Sequence, residues 1–376
     1  MGHVRRTSSG RWQARYRDPS GREHARTFDR KHDGERFLAQ IEADKLRGQW
    51  IDPQAGRITL RDFSERWFAT TVLLTPKTRA GYRSLLDSRI LPRLGHLRLL
   101  QVDGLILREW IADLDAVGLS PSRIRQARNV LHAVFELAVE ASFVGRNPVS
   151  GVDPPRLPVS DRRYLLPEQV TALADNIAAP YSTLVNTLAY TGIRFGEAAA
   201  LRRSRVDLPR SRIHITSSLA EVGGNLHFGE TKTKRRRTVV VPGFLTEQLA
   251  EHAATLPADP VALLFTSPRG RPLRYTNFRN RAWIPATVRA GLSGLEIHEL
   301  RHTAASLMIA AGADAKLVQA QLGHASISIT YDVYGHLFPD RLDELARDLD
   351  LMVRKGQAAR TSLRVRERDS PWTLGL

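Results

Sequence analysis

Cysteine is absent from this 376-residue chain. Without a thiol, the protein has no disulfide framework, no thiolate nucleophile and no cysteine-based zinc site. This composition fits a reducing compartment. No apolar run reaches the roughly 18 residues that a membrane-spanning helix needs, and the first residues, MGHVRRTSSGRW, lack the apolar stretch of a secretory signal. We therefore expect a cytoplasmic protein that does not associate with a membrane.

Glycine followed directly by lysine occurs nowhere in the chain, which excludes a Walker-type phosphate loop. Acidic residues are outnumbered: 39 aspartates and glutamates stand against 56 lysines and arginines, so the net charge is +17. A field this positive favours a polyanionic partner, and a nucleic acid is the first candidate. The alternative is an ordinary soluble protein from an organism with arginine-rich coding.

The sequence pattern predicts a mainly α-helical α+β protein with more than one domain, as its length suggests. Helical spacing of apolar residues dominates, and strand-like alternation is confined to short stretches. A segment dense in proline, glycine and serine predicts an interdomain linker. In chain order, the predicted parts are an N-terminal β-β-α module (1–56), a helical domain (57–150), the linker (151–163), a domain of helices with three short strands (164–350) and a basic C-terminal tail (351–376).

The N-terminal module is predicted from two alternating stretches within 11–28, which form a hairpin, and a helical pattern from Asp29 to about Gly48. It is rich in arginine and carries Trp12 and Tyr16, which favours a DNA-binding unit. In the alternative, these aromatic side chains only fill a small core.

Apolar spacing also predicts the elements of the two larger domains. The predicted helices are 59–71, 75–95, 102–118, 120–144, 166–177 and 181–201, and the predicted strands are 210–218, 225–230 and 236–242. On the fourth of these helices, Arg123, Arg125 and Arg128 lie opposite the apolar face and could meet either phosphates or solvent.

Five motifs carry the residues suited to chemistry. They are TGIRFGEAAALR (191–202), TKTKRRRTVVVP (231–242), HELRHTAA (298–305), LGH (322–324) and ITYDVYGHLFP (329–339). Breaking a phosphodiester without a metal needs an in-line nucleophile, cationic donors on the non-bridging oxygens and an acid for the leaving oxygen. Arginine suits the clamp because its planar fork donates two hydrogen bonds and stays charged. We therefore predict an enzyme that cuts and rejoins DNA through a phenolic oxygen.

Within these motifs, the residues alone leave several alternatives open. A turn at Gly192 would open a helix that projects Arg194, with Glu197 three residues on along the same face. That pair is also consistent with a surface ion pair. His298 and Arg301 are likewise three apart, so both can reach one phosphate. Composition does not single out one lysine as the acid in the basic tip of the second motif.

HELRH also matches the H-E-x-x-H pattern of zinc proteases, in which His298 and His302 would bind zinc and Glu299 would be the base. No motif supplies the third ligand, and the short pattern arises often by chance. Tyr331 and Tyr334 compete for the role of nucleophile.

In this order and at these distances, the five motifs resemble those of the tyrosine recombinases, especially phage integrases of the kind found in actinobacteria. The resemblance extends over the whole chain except the tail after about residue 350. It implies an arm-site DNA-binding module in 1–56, a core-site DNA-binding domain in 57–150 and a mixed α/β catalytic domain of the DNA breaking-rejoining type. It implies no cofactor and no metal.

The resemblance also assigns roles to single residues. It implies that Arg194 and Arg301 clamp the scissile phosphate and that Lys232, the first lysine of TKTK, is the general acid for the 5′-hydroxyl leaving group. It implies that Tyr334 is the nucleophile that forms a 3′-phosphotyrosine link. Tyr331 stays a rival because Tyr334 is the tenth residue after His324, an interval one longer than in some branches of the family.

The remaining roles concern histidines and one carboxylate. The resemblance implies that His298 takes the acid–base place and that His324 takes the second histidine place, hydrogen-bonding the scissile phosphate. Glu197 and His302 match supporting positions.

The implied reaction integrates or excises a mobile element by site-specific recombination. A homotetramer would assemble on two double-stranded attachment sites, each active tyrosine would cut one strand, and strands would exchange through a Holliday junction without ATP. A directionality factor and a host DNA-bending protein are further implied partners. The alternatives from the residues are a catalytically silent DNA-binding regulator and a topoisomerase that nicks without site preference.

Overall fold

The computed structural model describes residues 2–19, 21–46, 57–157, 163–230, 236–338, 347 and 349–355. The prediction for Lys232 lies outside these residues. The chain divides into two compact units, residues 1–160 with 222–224 and residues 161–221 with 225–376. Among the described residues, no helix is both long enough and apolar enough to cross a bilayer.

The chain begins with a three-stranded antiparallel sheet, in the order β1-β2-β3, and one helix. These elements are β1 (His3–Arg6), β2 (Trp12–Arg17), β3 (Glu23–Phe28) and α1 (Lys31–Leu46). The predicted hairpin and helix are confirmed. The sequence pattern missed β1 because HVRR has no apolar alternation. Tyr16 is buried in the small core together with Ala14, Leu38 and Ile41, whereas Trp12 stays partly exposed.

Helices dominate the part of 57–157 that the structure describes. They are α2 (Leu60–Thr70), α3 (Pro76–Leu85), a π-helical turn (Leu86–Ile90), α4 (Leu91–Leu94), α5 (Gly104–Ala116) and α6 (Pro121–Glu140). Thr59 caps α2, since its hydroxyl accepts a hydrogen bond from the Asp62 amide. The four predicted helices are confirmed, and their apolar faces meet around the buried side chains of Trp110 and Phe135.

Two of the three arginines on α6 bind backbone carbonyl groups of the segment that follows the helix. Arg128 donates to the carbonyl oxygens of Val149 and Val152, and Arg125 donates to that of Pro155. Guanidinium groups suit this task because one fork can serve several carbonyls. Both side chains therefore hold this segment against α6.

The second unit mixes helices with short strands. The helices are α7 (Pro167–Asn176), α8 (Ser182–Thr191), α9 (Phe195–Ala199), α10 (Gly243–Ala254), α11 (Tyr275–Phe278), a π-helical turn (Arg279–Trp283), α12 (Ile284–Arg289), α13 (Glu299–Ala310), α14 (Ala315–Leu322) and α15 (Ile327–Tyr334). The strands are β4 (Val206–Asp207), β5 (Arg212–Ile215), β6 (Ser218–Val222), β7 (Asn225–Gly229) and β8 (Arg237–Val240).

These strands form two small sheets, β4-β5-β8 and β6-β7. The predicted strand over 210–218 was wrong in one respect: it is two strands, β5 and β6, that belong to different sheets. The antiparallel pairing of β5 with β8 brings the C-terminal half of the second motif next to the body of the unit.

The helical pattern over 181–201 is two helices separated at Gly192, where the sequence predicts a turn. Gly192 has φ +68°, in the left-handed region that glycine adopts without steric cost. A Cβ at this position would collide with the side chain of Leu322 on α14. The turn therefore lets α14 approach closely and leaves Arg194 at the start of α9.

Candidate active site

Arg194 and Glu197 form one structural unit at the start of α9. Arg194 is the N-cap residue; its backbone N–H donates to Glu197 Oε2 and its Nη1 donates to Glu197 Oε1, both at 2.9 Å. The Glu197 side chain is 0% exposed. The alternative of a surface ion pair is therefore wrong, and Glu197 orients the Arg194 guanidinium from beneath.

Arg237, the first residue of β8, reaches the same carboxylate. Its Nη1 and Nη2 donate to the two oxygens of Glu197 at 3.0 Å and 2.7 Å. Burial acts to raise the pKa of Glu197, but the hydrogen bonds and charge of Arg237, helped by Arg194, outweigh it and hold that pKa below its usual value. Glu197 thus stays ionised between two guanidinium groups.

Sequence reasoning gave Arg237 no role, because it counted the residue both in the basic tip and in the predicted strand 236–242. Its place in that strand, directly before the apolar TVVV run, was the available signal. Its side chain is 9% exposed. A Cβ on Gly323 would lie 2.7 Å from Arg237 Cδ, so the glycine of LGH permits this close approach.

Arg301 faces the same cluster from α13, which packs along α8. Its Nη1 donates to the Gly192 carbonyl at 2.6 Å, and its buried Nη2 has no hydrogen-bond partner among the described residues. Burial, together with repulsion from Arg194, lowers the pKa of Arg301 to about 9. A buried N–H without an acceptor is costly, so this nitrogen marks a place where an anion's oxygen would be stabilised.

Tyr334, the last residue of α15, lies among the histidines. Its ring is 1% exposed, and its hydroxyl lies 2.9 Å from Nδ1 of His302. Its ring is parallel to that of His324, with centroids 6.2 Å apart. Tyr331, in contrast, is 55% exposed and contacts Phe338. The structure brings Tyr334, and not Tyr331, to the cluster.

His324 follows the left-handed Gly323 that ends α14. Its Nδ1 lies 2.9 Å from the Thr330 hydroxyl. Burial and then the charge of Arg301, with smaller contributions from the other arginines, lower the pKa of His324 to about 4. The ring is therefore neutral at pH 7. If the Thr330 hydroxyl donates to Nδ1, the proton of the ring is on Nε2, which is then a donor.

His298 is the N-cap residue of α13, and its ring meets that of His302 edge-on with centroids 5.3 Å apart. Glu299 does not point toward them as a catalytic base would. Its two carboxylate oxygens accept the backbone N–H groups of Arg163 and Glu296, at 3.3 Å and 2.7 Å. In the part of the chain that the structure describes, no three histidine or carboxylate side chains are grouped as metal ligands would be. The zinc-protease interpretation of HELRH therefore has no support in the geometry.

The site thus joins segments far apart in sequence. The electrostatic environment of His324 includes Arg301, Arg194, Arg237 and His302, and that of Arg301 includes Tyr334. Cationic donors, neutral imidazole and a phenol meet in one place. Such a set can bind a phosphate oxyanion and present an oxygen nucleophile to it.

Comparison with known proteins identifies the family in three successive stretches of the chain. The phage integrase family matches residues 163–341, a phage integrase N-terminal domain matches residues 1–47, and a phage integrase N-terminal SAM-like domain matches residues 59–114. The integrase of Mycobacterium phage D29 is 31% identical over 341 residues, which cover 86% of this chain and 90% of the phage protein. Tyrosine recombinase XerC of Ralstonia pickettii is 30% identical and covers 68% of this chain and 83% of that protein.

Solved structures agree in fold. The Tn1549 transposon integrase in complex with transposon right end DNA gives a TM-score of 0.67 at 19% identity and covers 79% of this chain and 100% of that chain. A lambda integrase tetramer bound to a Holliday junction gives 0.57 at 18% identity, with 86% and 96% covered. The predicted α+β architecture is confirmed. On the sequence matches, this chain belongs to the phage integrase family of tyrosine recombinases, enzymes of site-specific DNA recombination.

Proposed function

We propose that this integrase cuts and rejoins double-stranded DNA at attachment sites with Tyr334 as its nucleophile. One observation carries the proposal: the Tyr334 hydroxyl lies against His302 in a cluster where Arg301 offers a buried N–H without an acceptor among the described residues. A phenol in this setting has a proton acceptor at hand and an oxyanion site beside it. Both are needed for attack on a phosphodiester.

The proposed first step forms a bond from Tyr334 Oη to phosphorus and breaks the bond from phosphorus to the 5′ oxygen. His302 Nδ1, the atom that contacts the hydroxyl, takes the phenolic proton. The resemblance assigns the acid–base place to His298, whose ring meets that of His302 edge-on, so we propose that the two imidazoles together serve as the acceptor of this proton. Lys232, which lies outside the described residues, is the proposed donor of the proton that the 5′ oxygen needs. The product is a 3′-phosphotyrosine link that stores the bond energy for rejoining.

The non-bridging oxygens are the proposed targets of three donors. Arg194 and Arg301 supply charge, and the Nε2–H of neutral His324 supplies a hydrogen bond. Preorganised donors of this kind stabilise the charge that builds at the phosphorane-like transition state, each by a factor of about 100 to 1,000 in rate. Glu197 supports the clamp, since it fixes Arg194 by two hydrogen bonds.

The partners follow from the same assignment. A net charge of +17 supports binding to a polyanion, and binding should weaken steeply with salt because lysine and arginine displace counterions from phosphates. The lambda integrase neighbour is a tetramer on a Holliday junction, which supports a homotetramer on DNA for this chain. We assign arm-site binding to 1–56, core-site binding to 57–150, linkage to 151–163 and catalysis to 164–350. A directionality factor and a host DNA-bending protein stay predictions from the family.

The decisive experiment traps the covalent intermediate and maps the attachment site at the same time. The full-length protein is incubated with sheared, randomly nicked genomic DNA of the source organism and denatured in SDS, and the DNA that stays attached is sequenced. We expect attached DNA with wild-type protein and with Tyr331→Phe, enriched at one sequence, and none with Tyr334→Phe. Exonucleases specific for each end should find the 3′ end blocked and the 5′ end free.

Other outcomes select the alternatives. Attachment that persists in Tyr334→Phe would mean that another residue is the nucleophile. No attachment with the wild-type protein, although it binds DNA, would favour the silent regulator. Attachment spread evenly over the genome, with relaxation of any supercoiled plasmid, would favour the topoisomerase.

A further inference from the structure

We propose that Arg237 is a positioning residue that sets the phosphate clamp, because it joins the Arg194–Glu197 unit at the start of α9 to the turn that carries His324. This inference rests on the proposed function and deepens it. Arg237 itself is directed at other protein groups and would act through Arg194 and His324.

The first half of the link is a two-point ion pair. Both terminal nitrogens of Arg237 meet both oxygens of Glu197, and the same two oxygens receive the N–H and Nη1 of Arg194. A fork-to-fork pair fixes orientation as well as distance, which a lysine ammonium cannot do. The direction in which Arg194 points is therefore set partly by Arg237.

The second half of the link reaches the end of α14. Nε of Arg237 donates to the Gln321 carbonyl at 3.1 Å, and the Arg237 side chain lies against Gly323, directly before His324. The Gln321 side chain returns to β8, where it bonds both the N–H and the carbonyl of Val240 at 2.9 Å. Strand β8 and the LGH turn are thus locked together around one guanidinium.

Charge explains why the loss of Arg237 would change the orientation of the Arg194 guanidinium. Glu197 is fully buried, and burial alone would raise its pKa. Without Arg237, the carboxylate loses its largest stabilising partner and two of its four hydrogen bonds. Protonation of Glu197 would then remove its negative charge and leave Arg194 one full acceptor oxygen in place of two, so the guanidinium would be held less firmly.

The test uses a nicked suicide duplex that carries the sequence mapped by covalent capture, under single turnover and at saturating DNA. Arg237→Lys keeps the charge and removes the fork, and Arg237→Gln serves as a second variant. Arg236→Lys is the matched control, since it makes the same change at an exposed neighbour. We expect the cleavage rate constant to fall about 100-fold in both Arg237 variants, as misplacement of catalytic groups by about 1 Å can do. We expect it to change less than about twofold in the control.

Two readouts separate positioning from loss of structure. Partial unfolding lowers the amplitude of cleavage but leaves the rate constant of the folded fraction unchanged. The second readout is a duplex with a methylphosphonate at the scissile position, which lacks the negative charge that the clamp neutralises. If Arg237 acts through the clamp, the defect of Arg237→Lys should shrink from about 100-fold to under about tenfold on this substrate.

Glu197→Gln completes a double-mutant cycle. Residues that act as one unit are not additive, so the double variant should be about as slow as the slower single variant. Three results would each overturn the inference: equal defects on phosphate and methylphosphonate, effects that multiply in the cycle, or an unchanged rate constant in Arg237→Lys. In each case a covalent adduct with the wild-type protein would leave the proposed function intact. Absence of a wild-type adduct would instead overturn the proposed function.

Discussion

The turn at Gly192 gives the sharpest stability prediction for the site. Gly192→Ala places a methyl group on a backbone with φ +68° and drives it into the Leu322 side chain. Gly291 has nearly the same backbone, φ +72°, and no described atom lies within 4 Å of the position that a Cβ would take there. Both glycines lie in the second unit. The two alanine variants therefore share the conformational cost, and only one has the collision.

The magnitudes follow from these two contributions. A left-handed backbone costs a non-glycine residue about 1–2 kcal/mol, which is the whole expected effect of Gly291→Ala. Overpacking of a well-filled core adds about 1–3 kcal/mol, so Gly192→Ala should destabilise the unit by about 2–5 kcal/mol. At roughly 2–4 °C per kcal/mol for a unit of this size, Tm should fall by about 4–20 °C in Gly192→Ala.

Differential scanning calorimetry of the full chain measures both variants, and the transition that the two substitutions shift is assigned to the second unit, which contains both glycines. Equal losses of stability in Gly192→Ala and Gly291→Ala would refute the reasoning. That result would mean that Leu322 turns aside at no cost and that close approach of α14 does not require glycine.

Three further predictions concern charge and hydrogen bonding at the site. The unfolded His324 gains a proton below about pH 6.5 and the folded one only near pH 4, so the folded state loses stability as pH falls through that window. His324→Gln should remove about 1–2 kcal/mol of this loss, discounted for partial exposure of the ring. If urea unfolding gives the same change in the free energy of unfolding between pH 7 and pH 5 for both proteins, the prediction is wrong. At a concentration ten times its dissociation constant, sulfate should stabilise the wild type by about 1.4 kcal/mol more than the general salt effect, which is measured in Arg301→Gln. An equal increase of Tm in both proteins would mean that no anion binds at Arg301. Tyr334→Phe should lower the free energy of unfolding by about 1 kcal/mol because His302 loses a buried hydrogen-bond partner, whereas Tyr331→Phe should be within about 0.5 kcal/mol of wild type. If denaturant unfolding shows the larger loss in Tyr331→Phe, Tyr334 is not the tyrosine that is buried beside His302.

Local spacing in the sequence was sufficient for the parts of the site that lie within one turn of helix. Arg194 and Glu197 are three residues apart, and their side chains meet at the start of α9. The turn at Gly192 was readable as well. The choice between Tyr331 and Tyr334 was not, because the phase of α15 depends on a buried threonine, Thr330, which carries no apolar signal of its own.

Contacts between distant segments could not be read in this way. Arg237 and Glu197 are 40 residues apart, and neither the basic run nor the strand pattern indicates which carboxylate Arg237 meets. The division of 210–218 into β5 and β6 has the same origin, since each half is chosen by a different partner strand. Pairing across the fold is decided by tertiary packing, which propensity and periodicity do not contain.

The buried cluster also explains why this site favours a polyanion. Two guanidinium groups bind the single carboxylate of Glu197, and a third, that of Arg301, interacts electrostatically with all three groups, so the site holds excess positive charge in a region of low dielectric. Its cost is visible in the lowered pKa values of Arg301 and His324, which have the same physical causes: burial and like charge. A phosphodiester anion would offset that charge and supply the acceptor that Arg301 Nη2 lacks among the described residues. Binding energy from DNA would then stabilise the very arrangement that attacks it, and the charged clamp would be most stable only when substrate is in place.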